Sequence, residues 1–170
     1  REGDAMSNIA SIYSGEKYNK RTILEGGVGQ IAGWQGEAAF ALELMKHKLP
    51  FTHTGCLNHP YDFVVYSRGR KITIDVKCKK RNVQPSSTYE GHINTYQQRF
   101  NVMAYVFANV TQGEVTFMGW MYKKRFWEKA RIVEKGQMTD GGFTEYDQSA
   151  KMRYVEMVPM DALWERLCDG

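Results

Sequence analysis

The sequence predicts an α/β fold in which a central mixed β-sheet is flanked by helices. Apolar residues recur at helical spacing over residues 30–48. Two runs rich in β-branched residues, 61–66 and 71–78, then alternate as paired strands do. Further predicted strands and helices follow along the chain, and this order is typical of a sheet that carries helices on its faces.

The first helix is predicted from apolar residues that recur every three or four positions, namely Ile31, Trp34, Ala38, Leu42 and Met45. Pro50 ends this run. The turn-forming residues 67–70 join the next two strands into a predicted β-hairpin. Beyond it we predict a helix at 92–101, strands at 102–110 and 115–121, a helix at 122–133, a loop at 134–150, a strand at 152–158 and a helix at 161–167.

The chain of 170 residues is long enough for one domain with its own hydrophobic core. Residues 1–29 are punctuated by Gly and Ser and end in Gly26, Gly27 and Gly29. Glycine favours flexible backbone, so we predict an N-terminal arm or tail there. Residues 30–170 are predicted to form the single folded domain.

The composition favours a cytoplasmic protein with a polyanionic partner. Lys and Arg outnumber Asp and Glu by 23 to 19, which favours nucleic acid only modestly. Three cysteines without paired spacing argue against a disulfide scaffold. Neither an apolar run of the ~20 residues that span a bilayer nor a signal-peptide core is present. His53, Cys56 and His59 recur every three residues, but a closed zinc site needs four ligands, so we expect ordinary loop and core residues.

The predicted hairpin carries three charged residues, Asp62, Asp75 and Lys77, on strands that otherwise look buried. Asp75 and Lys77 alternate and therefore share a face, and Asp62 is expected across from them. Carboxylates suit Mg²⁺, and a cation suits a scissile phosphate. Lys77 would either lower the pKa of an attacking water or stabilise the pentavalent transition state. The alternative is an inert ion pair of Asp75 and Lys77 on an exposed edge strand.

The segments Tyr61-Asp62-Phe63-Val64-Val65 and Ile74-Asp75-Val76-Lys77-Cys78 resemble the motif of the PD-(D/E)XK nuclease superfamily, also called restriction-endonuclease-like. Tyr61 stands where the name-giving proline would be. The resemblance extends over residues 30–110 in element order, and its spacing is most similar to Holliday-junction resolvases and phage nucleases. It implies a restriction-endonuclease-like core.

The resemblance also implies the roles of individual residues. Asp62, Asp75 and the backbone carbonyl of Val76 would bind Mg²⁺ or Mn²⁺, and Lys77 would be the catalytic lysine. Many members carry a glutamate on the preceding helix, and Glu37 matches it, completing the metal shell directly or through water. Glutamates are mostly exposed, so a solvated Glu37 is the alternative.

Residues beside the predicted site are candidates for DNA contacts. Lys79, Lys80 and Arg81 would neutralise phosphates, and a solvated basic loop is the alternative. Some superfamily members place a glutamine after the hairpin that orders the site or contacts DNA. Gln98 is favoured over Gln97 for this role, with solvent-exposed amides as the alternative.

These features predict a metal-dependent deoxyribonuclease that hydrolyses phosphodiester bonds. A resolvase-like or restriction-like endonuclease of phage or bacterial DNA processing is favoured. DNA is the expected partner, and a homodimer is expected because one site cuts one strand. A non-catalytic DNA-binding module on the same fold is the first alternative, and an unrelated α/β interaction domain is the second. Exonuclease action and RNA substrates stay open.

Overall fold

The computed structural model of the protein describes residues 23–54, 60–139, 142 and 144–168. No helix within these residues is long and apolar enough to cross a membrane. The elements in chain order are α1 (Ile23–Lys46), β1 (Phe51–His53), β2 (Phe63–Ser67), β3 (Arg70–Lys80), β4 (Glu90–Asn94), a 3-10 helix (Thr95–Arg99), β5 (Ala104–Thr111), β6 (Glu114–Tyr122), α2 (Lys123–Lys129), β7 (Arg131–Val133), β8 (Ser149–Arg153), a second 3-10 helix (Tyr154–Glu156) and α3 (Met160–Cys168).

Five strands form the central sheet in the order β1-β2-β3-β5-β6. β3 and β5 run parallel and the other neighbours run antiparallel, so the sheet is mixed. The predicted hairpin of β2 and β3 turns at Arg68 and Gly69, whose φ angles are 53° and 70°. Two successive positive φ angles give a turn that matches the twist of paired strands. The predicted α/β class, with a mixed central sheet and flanking helices, is confirmed.

Helices α1 and α3 pack on one face of this sheet. Phe40 and Leu44 of α1 share a buried core with Leu163 and Leu167 of α3. The strands contribute mainly aliphatic residues to the same core: Val65, Ile74, Val76 and Val106. These strand residues alternate with residues on the opposite face, so this core fixes which way β2, β3 and β5 present their remaining side chains.

The buried face of α1 differs from the predicted one, with which it shares Trp34. Ile31, Leu42 and Met45 are exposed. Two sets of residues on this helix recur every three or four positions. Hydrophobicity alone favours the set that contains no acidic residue, whereas the buried set contains Glu37. The buried stripe includes Trp34, Glu37, Phe40, Ala41 and Leu44.

Helix α1 begins at Ile23, so its predicted start at residue 30 is wrong. The backbone is helical through Gly26, Gly27 and Gly29, where the sequence predicts an arm. The packed part of α1 supplies the helix nucleus, and extending a helix costs less than starting one. The division into an arm and a domain stays a prediction, since residues 1–22 lie outside the described part of the chain.

A second sheet, of order β4-β8-β7, covers the opposite face of the central sheet together with α2. Tyr105 and Phe107 of β5 pack there against Phe126 of α2, Ile93 of β4 and Met152 of β8. This sheet brings residues from distant parts of the chain over the same face of β3 that carries alternate charged residues.

The second sheet corrects three predictions. Residues 92–101, predicted as a helix, contain the end of β4 and a 3-10 helix. Residues 131–133 leave the predicted helix to form β7, and the strand predicted at 152–158 runs from Ser149 to Arg153. These elements are three to five residues long, and periodicity over so few residues does not distinguish helix from strand. Pairing with distant partners decides their conformation.

Gly36 allows α1 to approach β3 closely. A Cβ added at Gly36 would lie 2.5 Å from the Cβ of Cys78, far inside the usual contact distance between carbon atoms. Burial raises the pKa of Cys78 to about 12, so its thiol stays protonated and packs as a small apolar group. The next residue, Glu37, is thereby held beside β3.

Replacing Gly36 with Ala will destabilise the protein, because the new methyl group must push α1 away from β3. We expect a loss of about 1–3 kcal/mol in the free energy of unfolding. Gly33 is the matched control, since a Cβ there meets nothing within 4 Å and Ala is the better helix former by about 0.5–1 kcal/mol. Urea unfolding of both variants measures the difference. Equal stability of Gly36→Ala and Gly33→Ala would contradict the close contact.

Candidate active site

The candidate site lies where β2 and β3 separate. Their strand pairing ends at Phe63 and Ile74, and the Asp62 N–H donates to the Ile74 carbonyl at 3.0 Å. Two residues further along β3, the Val76 N–H donates to the Oδ2 of Asp62 at 2.7 Å. The Asp62 carboxylate therefore accepts a hydrogen bond from β3 that a backbone carbonyl of a neighbouring strand would otherwise accept. The role of the Val76 carbonyl as a metal ligand stays a prediction.

Asp75 and Lys77 lie on one face of β3, as strand alternation predicts. The Nζ of Lys77 is 2.7 Å from the Oδ2 of Asp75 and donates to the Oε1 of Gln97 at 2.6 Å. The side chains of Lys77 and Asp75 are only 23% and 16% exposed. β3 lies inside the sheet, between β2 and β5. The alternative of an ion pair on an exposed edge strand is therefore wrong.

Glu37 reaches the same region from α1 and is buried. Its Oε2 accepts a hydrogen bond from the Nε2 of His53 at 2.9 Å, and both side chains are less than 10% exposed. The His53 ring stacks on Phe63 with a centroid distance of 4.4 Å and an interplanar angle of 7°. A solvated Glu37 is excluded, and His53 fixes the orientation of its carboxylate.

The three carboxylates lie close enough to perturb one another. Burial raises the pKa of Asp62 well above its ordinary value, and the charges of Glu37 and Asp75 raise it further. Burial lowers the pKa of Lys77, but the charges of Asp75 and Asp62 outweigh burial and raise it overall. The site thus combines a protonated lysine with carboxyl groups whose negative charges repel one another.

This donor set fits a hard divalent cation. Carboxylate oxygens from Glu37, Asp62 and Asp75 are the ligand type that Mg²⁺ and Mn²⁺ prefer, and a cation between them would relieve their repulsion. Among the described residues, no three His, Cys, Asp or Glu side chains are grouped so that they could hold a metal ion together. Mg²⁺ commonly keeps several waters and binds through one or two carboxylates, so it needs no closed cage.

Gln97, and not the favoured Gln98, reaches the site. Gln97 accepts a hydrogen bond from Lys77, whereas Gln98 is exposed. Residues 95–99 form a 3-10 helix, in which side chains three residues apart overlap. The lysine of the site therefore contacts Gln97, and the DNA-binding role of Gln98 stays a prediction.

The basic residues predicted to contact DNA separate in space. Lys79 shares a face of β3 with Lys77, whereas Lys80 follows the alternation to the opposite face. Arg81 donates from its Nε to the Oδ1 of Asn109 at 2.6 Å, so its guanidinium is held in place. The DNA-binding role of these three residues stays a prediction.

His53 is the site residue whose role the sequence did not reveal. In the sequence His53 stands out only by its spacing to Cys56 and His59, which lie outside the described residues. His53 is on β1, directly opposite Phe63 and hence next to Asp62 in space. β1 has only three residues, too few for periodicity to indicate a strand. Recognising that β1 pairs with β2 would have revealed this neighbour.

Comparison with known proteins finds a distant structural likeness. No protein-family model matches the chain, and neither does any curated protein. Among solved structures it is similar to Hjc, a Holliday junction resolvase from the archaeal hyperthermophile Archaeoglobus fulgidus, with 10% sequence identity and a TM-score of 0.43. The match covers 78% of this chain and 94% of that chain. A likeness this distant assigns no function.

Replacing Asp62 with Asn will stabilise the metal-free protein at neutral pH. The amide still accepts the Val76 N–H bond and carries no charge for Glu37 and Asp75 to repel. Because the folded-state pKa of Asp62 is raised, its contribution to stability is lost as the pH rises through that pKa. The Tm difference from wild type should therefore grow from acidic to neutral pH and reach roughly 2–6 °C.

Scanning calorimetry in EDTA at several pH values measures this difference. Asp147→Asn is the control, because Asp147 is exposed and its variant should match wild type throughout. A lower Tm for Asp62→Asn than for wild type at neutral pH would contradict the repulsion.

Replacing His53 with Phe will destabilise the protein by about 1.5–3 kcal/mol, because the buried Glu37 carboxylate loses a donor. Phe keeps an aromatic ring against Phe63. In a Glu37→Gln background the same substitution should cost less, since a neutral amide is cheaper to leave unpaired. Urea unfolding of the four proteins gives the coupling energy. Equal costs in the two backgrounds would rule out the interaction.

Proposed function

We propose that this protein is a metal-dependent deoxyribonuclease that hydrolyses phosphodiester bonds as an endonuclease. The observation that supports the proposal is the convergence of Glu37, Asp62, Asp75 and Lys77 where β2 and β3 separate. Glu37 comes from α1, Asp62 immediately precedes β2, and Asp75 and Lys77 come from β3; their charges interact in a largely buried position.

The energetics of this cluster favour function over a structural role. Burying mutually repelling carboxylates costs stability, and uncharged amides would satisfy the same hydrogen bonds more cheaply. Groups with strongly perturbed pKa values cluster at functional sites for this reason. Three acidic residues held together at a cost in stability are therefore expected where their negative charge serves a function.

Each residue has a role in the proposed reaction. Asp62 and Asp75 would hold Mg²⁺ or Mn²⁺, with Glu37 completing the shell directly or through water. The bound cation supplies Lewis-acid stabilisation of the charge that develops on the phosphate. Lys77 carries a proton because its pKa is raised, and its ammonium is held between Asp75 and Gln97. This favours stabilisation of the pentavalent transition state over proton abstraction as the role of Lys77.

DNA is the proposed substrate and a homodimer the proposed assembly. A single site cuts one strand, so symmetric cleavage of two strands needs two copies related by a twofold axis. The molar mass in solution, measured by light scattering at several concentrations, tests the assembly independently of activity.

Cleavage assays test the proposal directly. Wild type, Asp75→Asn, Lys77→Met and Glu37→Gln are incubated with circular, linear and branched DNA in Mg²⁺, Mn²⁺ or EDTA. Wild type should cut only with a divalent cation. Asp75→Asn and Lys77→Met should lose about 100-fold or more in rate, the usual effect of removing a group that stabilises transition-state charge. Glu37→Gln should lose about 10–100-fold, the range for residues that support metal binding.

Lys71→Met and Asp147→Asn are the matched controls. Lys71 is an exposed lysine at the other end of β3, and both variants should cut at the wild-type rate. Equal cleavage by wild type, Asp75→Asn and Lys77→Met would reject the site. Binding of DNA without cleavage in either metal would instead identify a non-catalytic DNA-binding module.

A further inference from the structure

A cleft leads away from the candidate active site between the end of β3 and the second sheet. It consists of two adjoining cavities of about 150 and 530 Å³. Lys77 and Gln97 line the smaller cavity, and Lys79 and His92 line both. The cleft is therefore continuous with the site through Lys77.

The wall of the larger cavity is basic. Five basic side chains and one acidic side chain, Glu90, are among the described residues that line it. Arg131, Lys151 and Arg153 each form an ion pair, with Glu90, Glu145 and Glu156 respectively. No ion pair joins Lys79 to a described residue, and the guanidinium of Arg81 contacts neutral acceptors.

The pKa values of two groups in this cleft are lowered, first by burial and then by neighbouring cations. Burial lowers the pKa of Lys79, and the charges of Arg81 and Lys151 lower it further. Burial likewise lowers the pKa of His92 to about 4, with Lys79 and Lys151 adding to the effect. The cations of this cleft repel one another, and Glu145 and Glu90 oppose their effect on the pKa of Lys79 without reversing it. An anionic ligand would relieve that repulsion.

The cations form a row that starts at the active site. Lys77 and Lys79 are alternate residues on one face of β3, so their backbones are about 6.6 Å apart. Arg81 follows directly after the strand, with its guanidinium held by Asn109 and by the Glu90 carbonyl. This spacing is comparable with the distance between successive phosphates along an extended nucleic-acid strand.

We propose that this cleft binds the phosphate backbone of an unpaired DNA strand next to the bond that is cut, with Lys79 and Arg81 as the phosphate ligands and Lys151 beside them. Its size supports a single strand, because a cavity within the range of roughly 300–1,000 Å³ that suits a small ligand takes about one or two nucleotides and not a duplex. That the bound strand lies next to the cleaved bond rests on the proposed nuclease function. Binding of a single strand in the cleft does not depend on it.

Binding is measured without cleavage, by fluorescence anisotropy of a labelled single strand in EDTA. Lys79→Met and Lys151→Met should each weaken binding at least about fivefold and reduce the salt dependence of log K by about one phosphate contact. Lys71→Met should bind as wild type does. Lys80→Met should have a smaller effect than Lys79→Met, because Lys80 has the same charge and lies next in sequence but on the opposite face.

Two further measurements make the result decisive. Thermal unfolding of each variant separates a lost contact from a lost fold, and Lys79→Met carries the test if Lys151→Met is unstable. A duplex with a single-stranded overhang should bind more tightly than the blunt duplex of the same sequence. An equal effect of Lys80→Met and Lys79→Met, an unchanged affinity in Lys79→Met, or equal affinity for overhang and blunt DNA would overturn the inference.

Failure of the proposed nuclease gives a different result. The wild-type protein would then leave DNA intact in Mg²⁺ and Mn²⁺ while Lys79→Met still weakened strand binding. Cleavage that persists in Lys79→Met with unchanged strand affinity would instead support the nuclease and reject the cleft.

Discussion

The hydrogen bond from the Val76 N–H to the Asp62 carboxylate is the interaction on which the arrangement of the site depends. The pairing of β2 with β3 begins at Phe63, and a buried N–H of β3 beyond Ile74 cannot be left unpaired without a cost of about 1–3 kcal/mol. Asp62 supplies the acceptor from its side chain at 2.7 Å. The same bond that completes the strand therefore fixes a carboxylate beside Asp75.

The fold supports that carboxylate from two sides. On one side, Gly36 lets α1 lie against Cys78, so Glu37 enters the cluster with its oxygen held by His53. On the other, the Lys77 ammonium is held by Asp75 and Gln97. The carboxylates of Glu37, Asp62 and Asp75 carry like charges on rigid elements and repel one another, and a bound cation would relieve that repulsion. Stability and the proposed chemistry thus make opposite demands on the same residues.

The two faces of the central sheet carry different kinds of side chain. The face under α1 and α3 is an aliphatic core that sets the strand alternation. The other face carries Asp75, Lys77 and Lys79, and the second sheet covers it while leaving a basic cleft. A one-residue shift of β3 would exchange these faces. The apolar packing of Ile74 and Val76 therefore also determines where the charges point.

Strand alternation and turn chemistry act over a few neighbouring residues, so the mixed sheet, the hairpin and the shared face of Asp75 and Lys77 could be predicted from the sequence. Tertiary structure decided which stripe of α1 is buried, and so brought Glu37 to the site. It also selected Gln97 over Gln98 and placed His53 against Glu37. Those outcomes depend on pairing between segments far apart in the chain, and such contacts leave no periodic signal in either segment alone.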